Sequence, residues 1–214
     1  AIYKTGVKTN PTAYDEYTAG GRIEAGYKIN QKNRITAAAT YKRERHAGLR
    51  KDKKEIDITE DTISFGAEYT TVPLENLTIV GGIGYDTIQP KDYWGKANDL
   101  ALLLGNKPFI VDTKDQWLIT GQIGVFYEVA EGQEIRTTYA RKNHFPTMSD
   151  KYSTRVNRVV PNPNLEPEVA DHFELGYKGN FRSFSLNTAI YYSMMRDKIA
   201  DISIPSPTQP SITA

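Results

Sequence analysis

The chain has 214 residues, 27 Lys and Arg against 26 Asp and Glu, and no Cys. Near-neutral charge excludes the basic footprint of a nucleic-acid binder, and the missing thiols exclude a disulfide framework, a Cys-based zinc site and a thiol nucleophile. The longest near-continuous apolar run, residues 100–104, is far short of the roughly 20 residues of a membrane helix.

Period-two alternation runs along the chain and helical periodicity is hard to find, which predicts eight strands. The first covers about residues 18–29, with Ile23, Ala25, Tyr27 and Ile29 on one face and Arg22, Glu24 and Lys28 on the other. After a tight turn at residues 30–33, the second sets Ile35, Ala37, Ala39 and Tyr41 against Arg34, Thr36, Thr40 and Lys42. A charged connection is expected from Glu44 to Asp61. The third strand sets Ile63, Phe65, Ala67 and Tyr69 against Ser64, Gly66, Glu68 and Thr70, then turns at residues 73–76. The fourth sets Leu77, Ile79, Ile83 and Tyr85 against Thr78, Gly82 and Asp86. A long connection, residues 89–114, leads to the fifth, with Trp117, Ile119, Ile123, Val125 and Tyr127 on one face. A turn at residues 130–133 introduces the sixth, residues 134–144. Another long stretch, residues 146–170, precedes the seventh, with Phe173, Leu175 and Tyr177. A turn near Gly179 and Asn180 leads to the eighth, with Phe184, Leu186, Ile190 and Tyr192. The Pro-rich tail from Pro205 to Pro210 is expected to be irregular.

Connections after odd strands are short and those after even strands are long. In an up-and-down meander this puts short turns at one end and long loops at the other, the asymmetry of outer-membrane barrels. Face chemistry agrees. Trp117 and Tyr127 share one face ten residues apart, a height of roughly 25 Å on a strand tilted near 40°, which matches an apolar band with an aromatic girdle at each border. The 14 Tyr suit such borders, and 39% apolar content is low for a soluble core. Arg22, Glu24, Lys28, Glu68, Gln122, Glu128, Arg136 and Lys178 fall on the opposite face, too charged for a packed interior but suited to a wet or plug-filled lumen. The predicted fold class is therefore all-β: an antiparallel up-and-down meander, about eight strands of a larger transmembrane barrel. The alternative is a soluble or surface-attached β-domain that binds carbohydrate or protein through its long loops.

Residues 145–199 carry a recurring pattern: Asn162-Pro163-x-Leu165-x-Pro167-Glu168, then a strand with Glu174-x-Gly176, a short turn, and a strand ending in Tyr191-Tyr192 before Asp197-x-Ile199. This resembles the later barrel strands of TonB-dependent outer-membrane receptors. The resemblance implies a non-enzymatic transporter of the bacterial outer membrane that binds a scarce ligand, most often a ferric siderophore, and is driven by an inner-membrane energy complex. It also implies that residues 1–214 are a partial barrel domain. The plug, through which alone the TonB energy complex would act, and the closing strands are not seen in this sequence. Pro161, Pro163 and Pro167 remove donors and fix φ, so residues 160–168 should be extended and non-strand. Glu174 should face the lumen, with Gly176 leaving room there for a close neighbour.

Candidate sites lie at the long-loop end. Residues 42–55 hold seven Lys and Arg against three acids, a loop that either meets lipopolysaccharide phosphate or an anionic ferric chelate, or is merely solvated. Tyr152, Arg155 and Arg158, just beyond His144, offer a grip on a planar anionic iron chelate or pin their own loop. Tyr93 and Trp94 join that mouth or anchor at the interface. His46, His144 and His172 lack metal-ligand spacing and read as solvent-facing loop residues, and no cofactor is expected. Ser193 with His144 would be the pair for seryl catalysis, and no third partner is evident. Expected partners are outer-membrane lipid and the ligand, not nucleic acid.

Overall fold

The structure is a computed structural model that describes residues 12–50, 53–95, 113–152, 162–200, 203–204 and 212–213. Eight strands among the described residues build one antiparallel sheet in strict chain order, and a separate pair of short strands follows. Its strands are β1 (Thr12–Lys28), β2 (Asn33–Arg50), β3 (Lys53–Leu74), β4 (Leu77–Gly95), β5 (Gln116–Ala130), β6 (Gln133–His144), β7 (Glu168–Asn180) and β8 (Ser185–Arg196). A short helix, α1 (Met148–Tyr152), lies between β6 and β7, and β9 (Ser203–Ile204) pairs with β10 (Ile212–Thr213). The all-β meander read from the alternation is the fold that forms.

Directly opposed residues point to the same side of a sheet, so register decides which residues share a face. Tyr27, Ile35, Tyr69, Gly81, Ile123, Tyr139, Phe173 and Tyr192 stand in one cross-strand row. The apolar series of all eight strands therefore share one face. Nothing described packs on it: Ile23 is 71% exposed, Ile83 62% and Ile190 73%. A soluble sandwich would bury these side chains between two sheets. Here the backbone ladder, not a core, joins strand to strand.

Several strands run further than the pattern implied. The stretch expected as a charged connection continues the β2–β3 hairpin, and only residues 51 and 52 separate the two strands. Among the described residues, its acids Asp57 and Asp61 are paired across the ladder. Arg43 donates from Nε and Nη2 to Asp61, both at 2.7 Å, and Arg45 donates likewise to Asp57 at 2.9 Å. β4 also continues, through Pro90 to Gly95, so Tyr93 and Trp94 are strand residues rather than loop residues. The register shifts beside Thr59 and Glu60, with Pro90 opposite Glu60 and Asp92 opposite Thr59, so Lys91 is the extra residue of a bulge. A bulge is where a strand tolerates a proline that cannot donate to the ladder.

The other end is closed by short turns. In the β1–β2 turn Asn30 Oδ1 accepts from the Lys32 amide at 2.9 Å, the local bond that favours Asn in turns. Gly132 turns β5 into β6 with φ of 70°, a conformation that favours glycine. Phe184, expected on the eighth strand, instead closes the β7–β8 turn and stacks on Phe181 with centroids 4.6 Å apart. Most of the buried side chains lie at the long-loop end, among them Ala47, Ile58, Glu60, Ile88 and Tyr152. The Pro205–Pro210 tail lies outside the described residues.

Candidate functional site at the long-loop end

Even-numbered positions of β3 face the polar side of the sheet, so Ile58 and Glu60 point there, and register sets Tyr93 of β4 beside Ile58. α1 folds down over them. Its start is a capping box: Asp150 Oδ2 accepts from the Thr147 amide (2.9 Å) and hydroxyl (2.7 Å), while Thr147 Oγ1 accepts from the Asp150 amide (3.2 Å). The single helical turn then delivers Lys151 and Tyr152 onto Glu60. Lys151 Nζ and the Tyr152 hydroxyl (3.0 Å) both donate to Glu60 Oε1. Glu60, Lys151 and Tyr152 are each only 2% exposed. The Tyr152 ring lies 5.3 Å from that of Tyr93, and the Lys151 ammonium sits 5.1 Å from the Tyr152 centroid. Burial first, and then the Glu60 carboxylate, push the Tyr152 phenol well above its ordinary range.

The Asn-Pro-x-Leu-x-Pro-Glu segment seats beside this cluster. It is not extended throughout: Asn162 Oδ1 accepts from the Asn164 amide (3.2 Å) and the Leu165 amide reaches the Asn162 carbonyl (3.3 Å). Pro163 stands at the second position of that turn, where its fixed φ fits. The Leu165 carbonyl accepts from Gln116 Nε2 at 2.7 Å, tying the turn to β5. Glu168 opens β7 and accepts from the Ile199 amide at 2.8 Å, tying it to the chain beyond β8. Pro167 links the two ties. The motif is thus a brace across the rim.

Of the candidate ligand residues, Tyr93 and Tyr152 are brought into contact. His144 ends β6 opposite Glu168 and is exposed. Arg155, Arg158 and the Trp94 side chain lie outside the described residues. Lower on the polar face, Arg136 Nε donates to Glu174 Oε1 at 2.9 Å and Nη1 to Asn187 Oδ1 at 3.1 Å. Gly176 lies opposite Arg136, and a Cβ there would stand 2.8 Å from its Cζ. The guanidinium crosses the strand because this position has no side chain.

The histidines are not all loop residues. His46 and His172 sit within strands on the polar face. His46 Nδ1 contacts Glu16 Oε1 at 2.5 Å and its ring stacks on Tyr14. His172 Nδ1 meets Ser193 Oγ at 2.8 Å. The catalytic pair weighed from sequence, Ser193 with His144, does not form, because Ser193 is spent on His172.

Glu60 and Lys151 escaped sequence reading, although the Thr147-x-x-Asp150 box marks the helix that joins them. The apolar face holds a second missed feature just beyond its upper aromatic row. Tyr41 hydroxyl (3.1 Å) and Arg43 donate to Asp61, and Tyr139 hydroxyl (2.7 Å) and Arg141 (2.8 and 3.1 Å) donate to Asp171. The signal was a repeat, Thr-Tyr-x-Arg at residues 40–43 and 138–141, each answered across the ladder by Asp-x-Ile or Asp-x-Phe.

A one-sheet meander with a bare apolar face, a charged opposite face and loops gathered at one end is the architecture of a membrane barrel wall. The chain belongs to the TonB-dependent receptor β-barrel family: the family model described as "TonB dependent receptor-like, beta-barrel" matches residues 3–212. It is 27% identical over 99 residues to the ferric-pyoverdine 358 receptor of Pseudomonas putida, covering 46% of this chain and 11% of that protein. It is 32% identical over 80 residues to the vitamin B12 transporter BtuB of Vibrio vulnificus (strain CMCP6), covering 37% and 12%. Among solved structures, the copper transporter OprC superposes with a TM-score of 0.72 at 16% identity, over 94% of this chain and 33% of that one. At that identity the likeness is one of fold. The chain thus spans about a third of that solved protein. The family is one of receptors and transporters rather than enzymes.

Proposed function

We propose that this chain forms part of the wall of a bacterial outer-membrane receptor that takes up a ferric siderophore, with its apolar face in lipid and its polar face on the lumen. The observation that carries the membrane reading is the uncovered apolar face, bordered by Tyr41 and the stacked Tyr85–Trp117 pair (6.4 Å) above and by Tyr127 and the Phe181–Phe184 stack below. Such a surface is costly in water and stable in hydrocarbon. On this reading the eight strands are one part of a larger closed wall, and coupling to the TonB energy complex runs through a plug.

The ferric ligand is supported by the ferric-pyoverdine receptor among the relatives. It also suits the side chains of His144, at the end of β6, and of Arg155 and Arg158, whose donors match an anionic chelate. Tyr93 and Tyr152 pack together at the end of α1, from which the sequence runs on to Arg155 and Arg158. The test is titration of the full-length receptor with a panel of ferric siderophores, vitamin B12 and a copper salt, followed by tryptophan fluorescence. A ferric siderophore should saturate the signal. Arg155→Ala and Arg158→Ala should each weaken binding about tenfold, the scale of one hydrogen bond to a charged group. Saturation by vitamin B12 or copper alone would reassign the ligand, and unchanged affinity in both variants would remove the arginines from the site.

A further inference from the structure

The register of β7 and β8 places two soft donors together on the polar face. His172 stands directly opposite Ser193, and Met195, two residues further along β8, faces the same side and stands opposite Ala170. On the other flank of His172, β6 offers only the methyl of Ala140. Two alanines thus oppose the two donors and leave the space above them open, with Met195 56% exposed.

The imidazole is already held. Its Nδ1 meets Ser193 Oγ at 2.8 Å. When Nδ1 carries the proton and donates to that hydroxyl, the Nε2 lone pair is left to act as a donor. A partner on the second nitrogen is what fixes the tautomer and tilt of a metal-binding histidine.

The surroundings select the ion. Glu174, the acid two residues along the same face, is committed to Arg136 Nε at 2.9 Å, and Lys142 stands beyond Ala170 in the row of Met195. Among the described residues no three His, Asp or Glu side chains gather to hold a metal ion. A hard divalent ion, which needs several oxygen donors, therefore finds no cage here and meets a positive neighbour. Copper(I) has neither difficulty. It is soft and singly charged, it accepts imidazole, and thioether sulfur selects for it. A pair of such donors can hold it in a linear arrangement.

We propose that His172 Nε2 and Met195 Sδ form a binding site for copper(I), with Ser193 holding the imidazole in place. The site depends only on the β7–β8 register, so it is independent of the ferric ligand proposed above.

The test is competition between the full-length receptor, in detergent under ascorbate, and a chromogenic copper(I) chelator, with silver(I) as a second probe read by native mass spectrometry. The receptor should withdraw copper(I) from the chelator, and His172→Gln and Met195→Leu should each lose that bound ion. Ser193→Ala should keep the ion and weaken its binding about tenfold, the lower end of the cost of losing an outer-shell partner. Met194→Leu, on the opposite face of the same strand, should change nothing. X-ray absorption should show both nitrogen and sulfur at the copper, with the sulfur missing in Met195→Leu. None of these side chains is buried, so each variant should fold, and heat-modifiable migration on a gel checks that it does. Unchanged copper(I) binding in both His172→Gln and Met195→Leu, or zinc(II) held as tightly as copper(I), overturns the proposal. Equal losses in Met194→Leu and Met195→Leu overturn it as well, by assigning the ion to exposed methionines at large. A receptor that takes no ferric siderophore yet shows the expected copper(I) losses supports this site and counts against the ferric reading alone.

Discussion

The lower wall of the sheet and its long-loop rim are held by different forces. In the wall both faces are largely open and each strand is held by its ladder, with isolated cross-strand bonds such as Gln122 to Glu68 at 3.1 Å and Arg136 to Glu174 at 2.9 Å. At the rim the chain builds a small interior, with α1 pressed on Ile58, Glu60 and Tyr93. On the membrane reading proposed above, the contrast follows from the medium. Side chains in hydrocarbon need no protein partner, because lipid is as apolar as any core. A rim that stands in water must bury its own apolar atoms and pair its own charges.

The sharpest way to break the rim is to remove one half of its buried ion pair. Glu60→Leu strands the Lys151 ammonium in a dry site, a change worth about 3–5 kcal/mol. The loss should be local. Hydrogen exchange should show α1 unprotected while the β5–β6 ladder is unchanged, and the double variant Glu60→Leu with Lys151→Met should restore much of the protection. Uniform loss over the whole sheet would show that the rim and the wall are not separable.

The matching insult to the wall is a charge on its bare face. Ile83→Arg places a cation mid-strand on the apolar side, at a cost of about 2–4 kcal/mol near a bilayer midplane. Ser64→Arg, on the polar face of the neighbouring strand, should be tolerated. The readout is the fraction of heat-resistant folded barrel after refolding into lipid. Equal yields from the two variants would mean that the apolar face does not meet hydrocarbon.

This division also explains what was legible in the sequence. The wall is written in period two, and Ile23, Phe65, Ile83 and Ile190 announce their face because no described element packs against them there. The rim is written in long-range pairs. Glu60 and Lys151 are 91 positions apart, and no local pattern connects them. The charged run after Lys42 read as a loop because its acids, Asp57 and Asp61, stand on the next strand. The brace formed by Leu165 and Glu168 was visible as a motif, but its attachments to Gln116 and Ile199 were not.

A milder comparison lies within the polar face. Glu-x-Gly-Tyr-Lys-x-Asn occurs twice, at residues 24–30 and 174–180, and both glycines lie beside an arginine. At Gly176 an added methyl meets Arg136, which is committed to Glu174 and Asn187, so Gly176→Ala should cost about 1 kcal/mol through those bonds. At Gly26 the nearest atom is the tip of Arg34, 3.0 Å away, and a flexible tip can move. Gly26→Ala should therefore shift the urea midpoint less than Gly176→Ala. The reverse order would mean that Arg34 is the more firmly held of the two.

The smallest effect is reached by pH. The Tyr152 phenol, buried and beside the Glu60 carboxylate, holds its proton well above the ordinary tyrosine range. In undocked chain the same phenol titrates near pH 10, so above that pH the undocked state releases a proton that the docked state keeps. Docking of α1 is thus at full strength below about pH 10 and weakens as pH rises beyond it. Absorbance at 295 nm should show a late-titrating tyrosine that is missing from the Tyr152→Phe variant. In Glu60→Gln that tyrosine should move back toward the others, since the neighbouring negative charge is gone and the helix is loosened. A Tyr152 that titrates with the exposed tyrosines of the wall would mean that α1 stands in water, and the rim would then obey the same rules as the strands below it.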